Sequence, residues 1–325
     1  MLCRVLRERR WFEAPELDAW SSGVELRTPF LRFCVQSSRN VSTDWGVVER
    51  AVPFVHRMSR PGLSLVLAGR GRFDEHGRHH EVRTGDLALS DQRQLGTEAY
   101  AGTASRLLAL EWDPRVMGAG RDGSVGIDRI DPRTLAGLAD CASRLERAPT
   151  DAHARAAAIE IVQRLRALGL PLARIDAGVL ERAGDESEQR LAEALGQSLS
   201  RLREHPDLED VSGELGWSTR LVNRRVGDMV ARYGIPWDGW RAMLRSFRLT
   251  TALRLLSVPG ATTEGVAKLT GFRSPSALCH AFDKAGLPSP GAFVRAAKVD
   301  VLAGWSAFAA TPVAAAPPDL VAPAA

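Results

Sequence analysis

Two short segments of the chain place polar and basic side chains at helical spacing, directly after a residue that is typical of a helix start. Ser218 precedes the first group and Ser274 precedes the second. The side chains expected on the outward faces are Arg220, Asn223 and Arg224 in the first group and Ser276, Ala277, Cys279 and His280 in the second. Arginine can donate two hydrogen bonds to guanine, and asparagine can pair with adenine. These residue types favour contacts to base edges in a DNA major groove, and the first group should carry more of the specificity.

The first group belongs to a predicted helix–turn–helix. Asp207 can cap a helix whose inward residues include Val211 and Leu215. Gly216 ends that helix, because glycine adopts the left-handed conformation at little cost. Ser218 then caps a second helix, and this second helix presents the first group of polar side chains.

The second group repeats the same pattern. Thr262 or Thr263 caps a helix that Gly271 ends, and Ser274 caps the next one. Pro275 is tolerated at the first helical position, since its missing N–H would lack an intrahelical partner anyway. The caps Ser218 and Ser274 lie 56 positions apart. The sequence therefore predicts two copies of the same helix–turn–helix motif.

A long amphipathic helix is predicted between the two copies, over residues 236–257. It would act as a stiff connector that holds them at a fixed separation. Residues 206–298 contain 13 Lys and Arg against 8 Asp and Glu, so the positive charge of the chain is concentrated here. The residues expected to contact DNA phosphates are Ser218, Arg225, Arg248, Arg273 and Ser274.

The segment "GFRSPSALCHAFDKAGLPSPGAFVRA" (271–296) resembles the C-terminal signature of AraC/XylS-type transcriptional regulators. "FRLTTALRLL" (247–256) is similar to the linker helix of that family. The resemblance covers about 190–298. It implies that one monomer inserts two recognition helices into successive major grooves of double-stranded promoter DNA. It also implies a transcriptional activator that works with RNA polymerase, and a homodimer.

The chain departs from the family pattern at several positions. Ser212 and Gly213 replace residues better suited to a helix interior, where glycine costs about 1 kcal/mol relative to alanine. Val226 replaces a larger apolar residue, and His280 stands where many members have arginine. These differences predict a looser first motif and altered base preferences.

The N-terminal half is predicted to be rich in β-strands. "SLVLAGRGRFDEHGRHHEVRTGDLALSD" (64–91) alternates apolar and polar residues around glycine-containing turns, which indicates a small antiparallel barrel or sandwich. This stretch resembles the cupin-like sensor of the same family, which implies a small-molecule effector site or a dimerisation surface. The sequence does not identify the effector-binding residues; Trp45, Phe54, Arg60 and Arg72 are the candidates.

An enzymatic alternative would need a metal site in this half. His76, His79 and His80 are clustered beside Glu81, but adjacent histidines on a strand point to opposite faces and cannot easily bind one metal ion. We therefore expect no metal, no cofactor and no catalytic activity. Metal analysis of the purified protein tests this expectation, and stoichiometric metal would favour the enzymatic alternative. A regulator controlled by oligomerisation or by a protein partner, without an effector, is a further alternative.

The organisation expected from the sequence is an α+β chain with two domains. A cupin-like antiparallel β-barrel with closing helices spans 1–180, an all-α domain with two helix–turn–helix motifs spans 187–298, and a disordered Ala/Pro-rich tail spans 299–325. The 325 residues carry a net charge of +4. No stretch reaches the ~18 uninterrupted apolar residues of a membrane span. The four isolated cysteines fit a cytoplasmic protein with reduced thiols.

Overall fold

The computed structural model describes residues 12–14, 17–27, 31–44, 61–75, 78–91, 95–99, 104–112, 126–170, 172, 186–233, 239–258, 260–292 and 294–295. Within these ranges the N-terminal part is built of strands and the C-terminal part of helices. The chain is therefore α+β, as its sequence predicts.

The strands alternate in direction and form two antiparallel sheets. Their bounds are β1 Phe12–Ala14, β2 Ala19–Arg27, β3 Leu31–Arg39, β4 Ser42–Asp44, β5 Pro61–Ala68, β6 Arg70–Glu75, β7 Arg78–Arg83, β8 Asp86–Asp91, β9 Leu95–Ala99, β10 Ser105–Trp112 and β11 Gly126–Arg129. In the described residues one sheet has seven strands in the order β1-β2-β3-β10-β5-β8-β11. The other has four strands in the order β4-β9-β6-β7.

The helices follow the strands. Their bounds are α1 Pro132–Arg147, α2 Asp151–Ala167, α3 Glu186–Ser200, α4 Leu208–Leu215, α5 Thr219–Tyr233, α6 Trp240–Leu256, α7 Thr263–Leu269 and α8 Pro275–Lys284. A single 3-10 turn, Leu202–Glu204, connects α3 to α4. No helix in the described ranges is long and apolar enough to cross a membrane.

The seven-stranded sheet buries both of its faces. Leu108 and Leu110 of β10 lie in a large core with the inward faces of α1 and α2. Leu107 of the same strand points the other way, because neighbouring residues of a strand alternate between faces. It clusters with Val66 and with Val82, which belongs to the four-stranded sheet. The two sheets therefore face each other, and the helix pair covers the outer side.

Helices α1 and α2 are joined at their surface by an ion pair. Arg144 donates to Glu160 at 2.6 Å, and Arg164 donates to the same carboxylate at 2.8 Å. The hydrogen bond from Arg144 is the main cause that lowers the pKa of Glu160 to about 2. Because these groups are largely solvated, the pair orients the helices and adds little free energy of folding.

Helix α2 is capped by Thr150, although the neighbouring Asp151 is also a residue type typical of an N-cap. The Thr150 hydroxyl accepts from the His153 N–H at 3.4 Å. Asp151 is the first helical residue, where a carboxylate is favourable next to the positive end of the helix dipole. The connector α6 begins at Trp240, after Gly239 with φ of 102°, and so starts later than the apolar pattern predicts.

The turn between β1 and β2 contacts the C-terminal helices. Ala14 and Ala19 are buried in one cluster with Leu249 and Leu256 of α6. Leu17 packs at the edge of this cluster, with its Cδ2 atom 3.9 Å from the position that a Cβ on Gly260 would take. The N-terminal hairpin thus contributes to the core of the second helix–turn–helix.

Candidate nucleic-acid interface

The first helix–turn–helix consists of α4 and α5. Asp207 accepts hydrogen bonds from the N–H groups of Glu209 at 2.8 Å and Asp210 at 3.0 Å, and Asp210 accepts from the Asp207 N–H at 2.8 Å. This reciprocal capping box fixes the start of α4. Gly216 ends the helix with φ of 67°, and the Ser218 hydroxyl then accepts from the Leu221 N–H at 3.3 Å. The structure therefore confirms the predicted caps Asp207 and Ser218 and the predicted helix end at Gly216.

The predicted side chains of α5 lie on its solvent side but not at the same angle. Val222 and Val226 are buried, whereas Arg220, Asn223 and Arg224 are exposed. Successive residues of an α-helix are turned by about 100°, so Arg220 and Arg224 lie opposite the buried side. Asn223 lies on a flank, and its Oδ1 atom is 3.6 Å from where a Cβ on Gly239 would lie.

Arg225 is exposed on the other flank of α5. It follows Arg224 directly and is turned about 100° away from it. The two neighbouring arginines therefore present one charge to the centre of the exposed face and one to its edge.

The second helix–turn–helix consists of α7 and α8 and uses the predicted caps. Thr262 accepts from the Gly265 N–H at 3.0 Å, which settles the choice between Thr262 and Thr263. The Ser274 hydroxyl accepts from the Ala277 N–H at 3.1 Å. Pro275 occupies the first turn of α8. Leu278 and Phe282 are fully buried and seat the helix.

The exposed face of α8 matches that of α5 position by position. Moving 56 residues along the chain takes Arg220 to Ser276, Asn223 to Cys279 and Arg224 to His280, and all six side chains are exposed. Ala277 is the exception among the predicted residues, because it is half-buried and lines a cleft. Asp283, which the sequence analysis did not name, is also exposed on the outward face, 56 positions after Gly227.

A close backbone contact joins the 3-10 turn before α4 to the second helix–turn–helix. Gly271 has φ of 70°, and a Cβ placed on it would overlap the carbonyl oxygen of Leu202 in the 3-10 turn. The guanidinium of Arg248 lies 3.3 Å from the same Cβ position. The connector helix is therefore not the only link between the units. This contact has no sequence signal beyond the glycine itself.

The remaining predicted phosphate contacts are spread around these helix starts. Ser218, Arg273 and Ser274 are exposed, and Arg248 is half-buried. Arg248 lines a cleft of about 550 Å³ between the two units, together with Asp207 and Arg273. Arg248 and Arg273 thus line the same cleft, whereas Arg225 lies outside it on α5.

The structure describes only some of the effector and metal candidates in the N-terminal half. Trp45, Phe54, Arg60 and His76 lie outside the described residues, and only the backbone of Arg72 and His79 is described. The described part of the chain holds no group of three or more His, Cys, Asp or Glu side chains that could bind a metal ion. His80 lies on β7 with the same strand parity as the buried Val82, and His79 has the opposite parity.

Comparison with known proteins gives structural matches only. No family model matches the sequence, and no curated protein matches it. The DNA-binding domain of AdpA, described as a global transcriptional factor in complex with a target DNA, is 29% identical over 34% of this chain and 95% of that chain, with a TM-score of 0.31. ToxT from Vibrio cholerae is 10% identical over 82% of this chain and 98% of the ToxT chain, with a TM-score of 0.32. The AraC-like transcriptional activator CuxR is 14% identical over 74% and 83%, with a TM-score of 0.30. Since these TM-scores are low, the functional conclusion depends on this chain's own geometry.

Proposed function

We propose that this protein is a sequence-specific DNA-binding transcriptional regulator of the AraC/XylS type. The observation that carries the proposal is the repeat of one helix–turn–helix at an offset of 56 residues, with matched serine caps and matched exposed faces. A helix presented in this way fits the major groove and reaches base edges from its N-terminal half. The repeated unit explains why one chain would contact two successive grooves.

The two helices differ in what they offer to DNA. Arg220, Arg224 and Asn223 on α5 can make charged or bidentate contacts to bases. Ser276, Cys279 and His280 on α8 can make weaker polar contacts, and Ala277 can contribute only an apolar one. We propose that α5 supplies most of the sequence discrimination and that α8 extends the recognised site.

The N-terminal half would be a cupin-like domain for sensing or dimerisation. The face between the two sheets carries small and polar residues such as Gln36, whose amide donates to the Ser21 hydroxyl at 3.3 Å. Arg32 and the buried Glu111 form an ion pair in the same region. A polar or an apolar effector would fit this face, because the apolar cluster of Leu107 and Val66 lies on it as well. Residues 1–180 would form this domain, 187–298 the DNA-binding domain and 299–325 a tail.

The regulator is proposed to be a cytoplasmic homodimer that activates transcription with RNA polymerase. An effector-independent regulator is the alternative. A screen of small molecules by thermal unfolding distinguishes the two, because a ligand that binds the native state raises its apparent stability. A ligand-dependent increase in Tm supports sensing, and its absence across a broad screen, together with DNA binding that varies with oligomeric state, supports the alternative.

The sharpest test of DNA recognition compares two neighbouring arginines of equal charge. Arg224→Ala should reduce discrimination between the selected duplex and single-base variants by roughly tenfold to a hundredfold, because one bidentate base contact is lost. Arg225→Ala should weaken binding to all duplexes alike and lower the slope of log affinity against log salt by about 0.9. Fluorescence anisotropy with duplexes selected from a random library measures both quantities.

Arg133→Ala, an exposed arginine at the start of α1, is the matched control and should change neither quantity. If the protein selects no sequence from the library, the proposed function is wrong. If Arg224→Ala and Arg225→Ala give the same profile, the assignment of the reading face is wrong while DNA binding stands.

A further inference from the structure

A cleft of about 550 Å³ separates the two helix–turn–helix units and contains two arginines. Arg248 of α6 forms part of its floor, and Arg273 lies beside the start of α8. Ala277, on the flank of α8, completes this side. The cleft is thus next to the N-terminal end of a proposed recognition helix, which is the end that approaches base edges.

Arg248 carries a charge that nothing in the described part of the chain compensates. Its Nε atom is buried and has no hydrogen-bond partner in the described part of the chain. Burial lowers the pKa of its guanidinium from the usual value, and no acidic group counteracts this. An unpaired, half-buried charge is unfavourable for folding alone, so an arginine at this position indicates an anion that arrives from outside.

The acidic residue that lines the same cleft is already engaged. Asp207 also lines the cleft, but its carboxylate accepts from the N–H groups of Glu209 and Asp210. It is held against the start of its own helix. The cleft therefore combines two guanidinium groups with a carboxylate that is turned to other partners, which suits an anion that both arginines contact.

We infer that this cleft binds a phosphate of the DNA backbone, on the stretch that crosses between the two recognition helices. The inference rests on the proposed function and adds a single anchor that both units share. Arg248 would donate from the floor and Arg273 from the rim, and guanidinium groups match phosphate oxygens well in geometry. Because the anchor lies where Gly271 meets Leu202, the two motifs would be held in register on the same DNA segment.

The test uses the full chain and the variant Arg248→Gln. Loss of one charge-assisted contact should weaken duplex binding about tenfold, whatever the sequence. The slope of log affinity against log salt should fall by about 0.9. The Tm of the free protein should stay the same or rise, because an uncompensated buried charge has been removed. If Arg248 were purely structural, Arg248→Gln would lower the Tm of the free protein.

Arg133→Gln is the control and should leave the affinity, the salt slope and the Tm unchanged. Arg248→Lys should retain the salt slope, since the charge remains. An Arg248→Gln protein that fails to fold, or that has a lower Tm with an unchanged salt slope, overturns the inference and makes Arg248 a packing residue. In that case Arg224→Ala still reports separately whether the protein reads DNA sequence.

A second arm asks whether the anion is free or part of DNA. Inorganic phosphate at millimolar concentration is added to wild type and to Arg248→Gln during thermal unfolding, and sodium chloride at equal ionic strength is the reference. No specific increase in the Tm of wild type, combined with the changed salt slope, supports a DNA phosphate. A specific increase in wild type only, with an unchanged salt slope in the variant, would show a site for free anions and overturn the assignment to DNA.

Discussion

Single glycines decide how closely the two helix–turn–helix units approach each other. Gly271 and Gly286 have almost the same backbone conformation, with φ of 70° and 69°. Their surroundings differ, because a Cβ on Gly271 would overlap the carbonyl oxygen of Leu202 while a Cβ on Gly286 meets nothing within 4 Å. The sequence indicates a glycine-ended helix at Gly271 but contains no sign of this second requirement.

The pair Gly271→Ala and Gly286→Ala separates backbone conformation from close approach. Both changes place alanine in the left-handed region, at about 1–2 kcal/mol. Gly271→Ala must also move the 3-10 turn, so we expect it to lower the free energy of unfolding by about 3 kcal/mol or more. Urea unfolding of both variants measures this. Equal losses would show that the contact with Leu202 is unimportant.

At the scale of elements, side-chain caps place the helices that face DNA. Ser218 and Ser274 each accept a hydrogen bond from the N–H three residues later, at 3.3 Å and 3.1 Å. The sequence predicts these caps because capping depends on residues that are close along the chain. The exact angle of each exposed residue was less predictable: Asn223 turns toward Gly239, and Ala277 turns into the cleft.

Ser274 allows capping and phosphate contact to be tested separately. Ser274→Ala removes the cap and should lower the free energy of unfolding by about 1 kcal/mol. Ser274→Asp keeps a good cap and should keep stability, but its carboxylate would repel a neighbouring phosphate and weaken duplex binding about tenfold. Urea unfolding and fluorescence anisotropy give the two readouts. Wild-type affinity in Ser274→Asp would place Ser274 away from the DNA backbone.

At the scale of the whole molecule, the N-terminal hairpin couples the sheet part to the second helix–turn–helix. Ala14 and Ala19 are buried with Leu249 of α6, and Leu17 covers the edge of that cluster. The turn is held by the Asp18 carboxylate, which pairs with Arg39 at 2.7 Å. Residues far apart in sequence meet here, and no local pattern announces the contact.

A charge at this contact should uncouple the two parts of the chain. Leu17→Asp removes apolar contact and adds a charge against an apolar surface, so the C-terminal helices should melt earlier and separately from the sheets. Differential scanning calorimetry would then show two transitions where wild type has overlapping ones. Leu168→Asp is the control, since Leu168 is 38% exposed and should tolerate the charge. Identical profiles for the two variants would contradict the coupling.

The sequence by itself determined what depends on near neighbours and on hydrophobic period. It was sufficient to predict the α+β order, the alternation of strands such as β5, the helix caps at Asp207 and Ser274, and the repeat at 56 residues. A cap and its partner N–H are three residues apart, so the signal is local.

Only the tertiary structure decided which of the predicted residues meet. The sequence marks Arg248 as an expected phosphate contact on the connector helix, but it does not show which other residues surround it. Folding places it unpaired in a cleft with Arg273, beside the close approach of Gly271 to Leu202. That environment depends on how two motifs pack across many residues of chain, and packing of distant surfaces leaves no periodic trace in the sequence. The charge without a partner, which carries the inference about the DNA backbone, is therefore a property of the fold.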